Sequence, residues 1–166
     1  METENSKEVS AFGLLHPKIQ EELYAMRWEE LRLIQVETIK EILAGDKHVL
    51  ISARTAGGKT EAAFLPILSL FLTNKPQGIH SLYISPLKAL INDQFRRLED
   101  LCRRSEIPVY RWHGDVSQGS KNHLVKNPEG VLMITPESVE SLFINRSFEL
   151  DRLFRNLEFI VVDEIH

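Results

Sequence analysis

An α/β fold, a mostly parallel sheet doubly wound with helices on both faces, is predicted by three observations on this 166-residue chain. Short apolar runs rich in β-branched and aromatic residues recur along it, separated by helical patterns. Most of these runs are continuously apolar rather than alternating, the mark of strands buried on both faces of a parallel sheet. A glycine-bearing turn joins the first run to a long helix, the arrangement in which a helix N-terminus receives phosphate.

Taken in order, the five runs are His48–Ser52, Leu82–Ser85, Val109–Trp112, Val131–Thr135 and Phe159–Asp163. Among the intervening helices, Ile34–Ala44 puts Ile34, Ile39, Ile42 and Leu43 on one side and ends at Gly45-Asp46. Lys59–Leu72 is apolar nearly all round, as a helix packed on a sheet is. Leu87–Cys102 carries a stripe of Leu87, Leu90, Ile91, Phe95, Leu98 and Leu101, with its charges elsewhere. Pro136–Ile144 opens with proline in a first helical turn, where the missing N–H costs nothing. Asn74–Ile79 and Asn127–Gly130 read as loops between units of one domain. The first ten residues read as a disordered acidic tail, and residues 11–166 as the domain.

Hydrophobic content of 43% and charged content of 27% fit an ordinary soluble globular chain. No apolar run reaches the ~20 residues of a membrane span. The polar N-terminus is unlike a signal or transit peptide, and Cys102 has no second cysteine to bridge. These features lead to an expectation of a cytoplasmic protein without a membrane partner. The net charge of −4 argues against binding nucleic acid over the whole surface. Residues 87–126 nevertheless hold eight Lys/Arg against five acids, a local +3 compatible with a phosphate-backbone face.

Ala53-Arg54-Thr55-Ala56-Gly57-Gly58-Lys59-Thr60 fits the phosphate-loop pattern G-x-x-x-x-G-K-[S/T], with Ala53 in place of the first glycine. Thr55, Ala56, Gly57 and Gly58 would present backbone N–H groups to phosphate oxygens. Lys59 would reach the β- and γ-phosphates of ATP, and the Thr60 hydroxyl would hold Mg2+. Phe159-Ile160-Val161-Val162 then runs directly into Asp163-Glu164. Carboxylates at the C-terminal end of a parallel strand face the crevice where ligands bind. Asp163 would hold magnesium through its water shell, and Glu164 would orient or deprotonate the attacking water.

This ordered set resembles the first RecA-like motor domain of superfamily 2 DEAD/DEAH-box helicases in an Asp-Glu-Ile-His form, and looks closest to large helicase-related enzymes. The resemblance covers roughly residues 12–166. Leu31-Arg32-Leu33-Ile34-Gln35 is similar to the family's adenine-reading motif, which implies that Gln35 hydrogen-bonds the adenine edge while Phe12 or Trp28 stacks on the ring. Ser85-Pro86-Leu87-Lys88-Ala89-Leu90-Ile91-Asn92-Asp93-Gln94, His113-Gly114-Asp115 and Thr135-Pro136-Glu137 resemble three motifs whose turns line a single nucleic-acid strand, DNA or RNA. That assigns Pro86, Lys88, His113, Gly114, Thr135 and Pro136 to the strand. His166 would couple the nucleotide site to neighbouring motifs. Arg54 stands where many relatives have proline, and Gly57 where many have serine.

The same resemblance implies parts that do not occur before His166. These are a Ser/Thr-Ala-Thr motif and a second RecA-like domain supplying arginine fingers, each such arginine contributing roughly 10³–10⁵ in rate in related enzymes. It also implies a strand between the acidic-motif strand and the phosphate-loop strand. The expectation is therefore a C-terminally incomplete P-loop NTPase sheet, poorly stable alone, that hydrolyses ATP only when completed. Two other readings stay open: a short regulatory protein that binds nucleotide or nucleic acid without catalysis, and a non-helicase P-loop enzyme such as a kinase or transporter ATPase.

Overall fold

The computed structural model describes residues 11–45, 47–54 and 57–164, which fall into two compact units meeting at Lys75/Pro76. The expected tail, residues 1–10, lies outside the described residues.

Among the described residues of the first unit, 11–14 are helical, and three further helices follow: α1 (Pro17–Ala25), α2 (Leu33–Ala44) and α3 (Lys59–Asn74). Helix α1, which the sequence reading did not include, starts with Pro17 in its first turn, and the His16 ring nitrogen accepts from Lys18 N at 3.2 Å. It buries Ile19 and Leu23. Helix α2 ends on Gly45 at φ +75°, the left-handed exit that glycine takes without a Cβ penalty. Helix α3 is buried without interruption from Ala62 to Ser69, matching its apolar sequence, and packs along α2 and against α1.

The predicted strand His48–Ser52 is not formed: residues 48–54 have no regular structure, and Leu50 is 85% exposed. An extended segment becomes a strand only where a neighbouring backbone takes up its N–H and C=O groups. No described strand pairs with this one, so its β-rich composition has nothing to act on.

The second unit holds a wholly parallel four-stranded sheet of β1 (Gly78–Ile84), β2 (Val109–Trp112), β3 (Glu129–Ile134) and β4 (Phe159–Val162), in spatial order β2-β3-β1-β4. The four later runs of the sequence are thus strands, Val109–Trp112 to the residue and the other three shifted at one or both ends. The linking helices are α4 (Lys88–Cys102), α5 (Gln118–Lys126), α6 (Pro136–Asn145) and the short α7 (Leu150–Phe154), the last preceded by a 3-10 turn at Ser147–Glu149.

Leu82, Leu132, Ile134 and Trp112 share one sheet face and form a core with Leu124 of α5, Leu142 of α6 and Leu153 of α7. Arg111, on the opposite face of β2, lies 4.3 Å from the ring centre of Phe95 in α4. Helices therefore cover both faces, which is the doubly wound layout. In β4, Ile160 and Val162 register with Leu82 and Ile84 and share the core face, yet they are 59% and 49% exposed. Strand β4 pairs with β1 alone among the described strands. No helix among the described residues is long and apolar enough to cross a membrane.

Candidate functional site

In the first unit, the local sequence builds a loop pressed against a buried glutamine. Gln35 is the third residue of α2, and its side-chain oxygen accepts from Arg32 N at 2.9 Å, the half of a capping box that a glutamine supplies. Its Nε2 is thereby turned toward the phosphate loop. A Cβ built on Gly58 would stand 2.7 Å from that Nε2, and Gly58 itself has φ +80°. A Cβ on Gly57 would stand 2.7 Å from Arg54 O, the carbonyl that accepts from Gly57 N at 2.9 Å. Both glycines are thus demanded by close approach, and Gly58 by backbone conformation as well.

Lys59 and Thr60 open α3 directly after this turn and are partly exposed. Glu61 in the same turn lies at the positive end of the helix dipole. Arg54 is exposed; Thr55 and Ala56 lie outside the described residues. Phe12, one of two candidates for adenine stacking, meets Tyr24 edge-on with ring centres 5.1 Å apart. Trp28, the other, is half-buried.

In the second unit the parallel sheet delivers the turns after all four strands to one edge, the C-terminal edge where such sheets bind ligands. The order along it is His113-Gly114, Thr135-Pro136, Ser85–Lys88 and Asp163-Glu164. Lys88 Nζ lies 3.1 Å from Asp115 Oδ1, and 3.3 Å from where a Cβ on Gly114 would be. Glycine at 114 thus leaves room for the lysine. His113 is buried, with Nε2 3.3 Å from Asn92 Oδ1, the atom to which Arg111 Nη1 donates at 2.7 Å. Burial pushes the His113 imidazole below its ordinary range; Asp115 opposes this, while Arg111, Lys88 and Lys121 add to it. These surroundings favour the neutral ring.

Thr135 is also buried and donates its hydroxyl to Ser138 Oγ at 3.0 Å, while Pro136 lies exposed at the start of α6. Pro86 is exposed. Beneath the His113 turn, the Trp112 ring is flanked by Lys121 Nζ at 5.8 Å and Arg146 Cζ at 5.6 Å from its centre.

Beyond β4, Asp163 N donates to Ile84 O at 2.9 Å and extends the ladder by one rung. Each Asp163 carboxylate oxygen has a donor: Tyr83 OH on Oδ2 at 2.6 Å, and Glu164 N on Oδ1 at 2.9 Å. The Tyr83 phenol is raised far above its usual range, first by burial and then by the Asp163 hydrogen bond and charge, so it remains a proton donor. Glu164 is exposed with φ +55°; Ile165 and His166 lie outside the described residues.

Among the described residues, no group of three or more His, Cys, Asp or Glu could enclose a metal ion. Asp163 offers carboxylate oxygen, a hard donor of the type that Mg2+ takes. Sequence reasoning missed Tyr83, and it gave no role to Asn92 and Asp115 although both lie within the motifs. A phenol in a buried strand, two residues before the motif Ser85-Pro86, needs a hydrogen-bond partner, and that was the available signal.

Residues 32–166 match the sequence profile of the DEAD/DEAH box helicase family. The chain belongs to that family. It is 31% identical over 170 residues to the ATP-dependent helicase Lhr-Core of Methanothermobacter thermautotrophicus, covering 93% of this chain and 19% of that relative. The chain thus spans about a fifth of that relative's length. Among solved structures, Mss116p bound to single-stranded RNA and AMP-PNP superposes with a TM-score of 0.81 at 21% identity, covering 92% of this chain and 31% of that one. Helicase Lhr of Mycobacterium smegmatis, bound to single-stranded DNA and AMP-PNP, gives 0.73 at 24% identity, covering 92% and 25%. At these identities the two superpositions establish the RecA-like fold of this helicase-family chain.

Proposed function

We propose that this chain is the nucleotide- and strand-binding first motor domain of an ATP-dependent nucleic-acid helicase or translocase. The observation that carries the reading is the gathering of four motif turns at one edge of a parallel sheet, with the carboxylates of β4 beside the turns assigned to nucleic acid. In this reading Gly57, Gly58 and Lys59 of the first unit hold the triphosphate and Gln35 reads the base; Thr60 in the first unit and Asp163 in the second are each assigned to hydrated magnesium. Bound magnesium would neutralise phosphate charge. Glu164, exposed just beyond β4, would orient the attacking water.

The strand side consists of Pro86, Lys88, His113, Gly114, Thr135 and Pro136. Its only fixed charge is Lys88, and the other contacts come from short turns, a composition suited to phosphates rather than base edges. One mimic of a phosphate, the Asp115 carboxylate, already lies on Lys88. Hydrolysis and strand movement are proposed to require completion by a second motor domain. The similar structures carry DNA in one case and RNA in another, so both ligands belong in the test.

The test is binding of a fluorescent N-methylanthraniloyl-ATP with Mg2+ present, in the chain and in Lys59→Ala, followed by oligonucleotide anisotropy with single-stranded DNA and RNA. Lys59→Ala should weaken nucleotide binding at least about tenfold, the scale of one lost charge-assisted phosphate contact. Equal affinity in the variant, or no salt-sensitive oligonucleotide binding, sinks the reading.

A further inference from the structure

We propose that Tyr83 is a positioning residue for the acidic motif, orienting Asp163 toward hydrated magnesium. The inference rests on the assignment of Asp163 made above and adds a residue that the motifs do not contain.

The geometry starts from the ladder. Tyr83 registers with Val161, so Asp163 is its diagonal neighbour two residues farther along β4. With strands ~4.8 Å apart and a rise of ~3.3 Å per residue, such parallel diagonal neighbours stand about 8 Å apart, a gap that only a long or aromatic side chain spans. The phenol crosses it and donates to Oδ2 at 2.6 Å, while the rest of the side chain is buried to 1% exposure. Buried tyrosine has few rotamers and is anchored in a central strand, so its hydroxyl is a fixed point.

Oδ1 is held from the other side by Glu164 N. The two donors act on opposite oxygens and together fix the carboxylate plane. Neither donor is a metal ligand, and each carboxylate oxygen keeps a further lone pair beside the one its donor occupies. Carboxylates that hold a hydrated cation are oriented by such outer partners, whose removal typically weakens metal binding or activity 10–100-fold. A core tyrosine satisfied by a nearby acid would give the same picture in a static structure. What separates the two roles is whether the hydroxyl matters specifically when magnesium is bound.

Tyr83→Phe removes the hydroxyl and keeps the ring. The full chain, Tyr83→Phe and Asp163→Asn are titrated with MgCl2 in the presence of N-methylanthraniloyl-ATP, each against an EDTA baseline, and each is also melted without ligand. The magnesium concentration at half-effect should rise about tenfold in Tyr83→Phe, while nucleotide binding in EDTA stays within twofold of the unaltered chain. An unchanged or lower magnesium requirement in Tyr83→Phe overturns the inference, provided Asp163→Asn raises it. An equal loss of binding in EDTA and in magnesium also overturns it, because that is the signature of a purely structural hydroxyl. If the unaltered chain shows no magnesium effect, or Asp163→Asn leaves it intact, the assignment of Asp163 falls, and the role of Tyr83 falls with it.

Discussion

Replacing Gly58 by alanine tests how tightly the phosphate loop is built onto the adenine-reading glutamine. At φ +80° an L side chain adopts the left-handed region at a cost of about 1–2 kcal/mol. The new methyl would also stand 2.7 Å from Gln35 Nε2, so the amide must rotate away. That rotation breaks the bond from Arg32 N to Gln35 Oε1, for about a further 1 kcal/mol. The total is about 2–3 kcal/mol, which lowers the melting temperature of a chain this size by roughly 5–10 °C. Thermal melts by circular dichroism of Gly58→Ala, Gln35→Ala and the double variant measure it. In the Gln35→Ala background the second contribution is already gone, so the alanine should cost about 1 kcal/mol less there, within the usual range of coupling between touching residues. Strict additivity of the two substitutions would falsify the contact, and a melting temperature unchanged in Gly58→Ala would refute the strain argument too.

Three further outcomes follow from other parts of the structure. Gly130 has φ +76°, and a Cβ there would lie 2.1 Å from Pro108 O, a backbone carbonyl already accepting from Val131 N; Gly130→Ala should lose about 3 kcal/mol or more in denaturant melts, and a loss under about 1 would contradict the geometry. His80 is held below its ordinary value of 6.5 by burial, with Glu158 pulling partly back, so folding favours the neutral ring. Its contribution to stability is complete above that pH and is lost as pH falls below it, with a slope of at most about 1.4 kcal/mol per pH unit. Melts between neutral and mildly acidic pH should show a flatter profile in His80→Gln, and an identical slope would refute the assignment. Finally, Lys88→Ala should reduce the log–log salt slope for single-strand binding by about 0.7, while Asp115→Asn, which removes the competing carboxylate, should strengthen binding at low salt. Anisotropy titrations in which neither variant differs from the parent chain would remove Lys88 from the strand site.

Much of this was legible in the residues because parallel strands between helices leave strong local marks. Val109–Trp112 was placed to the residue, and Pro136 and Gly45 marked helix ends through backbone chemistry alone. The phosphate-loop glycines and the Asp163 carboxylate were likewise visible as motifs. What could not be read was anything that depends on a partner far along the chain. His48–Ser52 has strand composition without a strand's neighbour. Tyr83 is an ordinary aromatic until the register of β1 and β4 brings it to Asp163. Asn92 and Asp115 lie within recognised motifs, yet their roles come from contacts across 19 to 27 residues. Helices α1, α5 and α7 were missed because short helices with weak stripes resemble loops in sequence.

The setting of Trp112 makes the protein its own optical instrument. Its indole rests on an apolar floor between two cations, immediately before the His113 turn. Of the two tryptophans in the chain, the other, Trp28, belongs to the first unit. A phosphate that draws Lys121 or Arg146 away from the ring changes the field across the indole, and with it the colour and yield of emission. In a Trp28→Phe background, strand binding beside β2 can therefore be followed by intrinsic fluorescence, without attaching a dye to the surface under study.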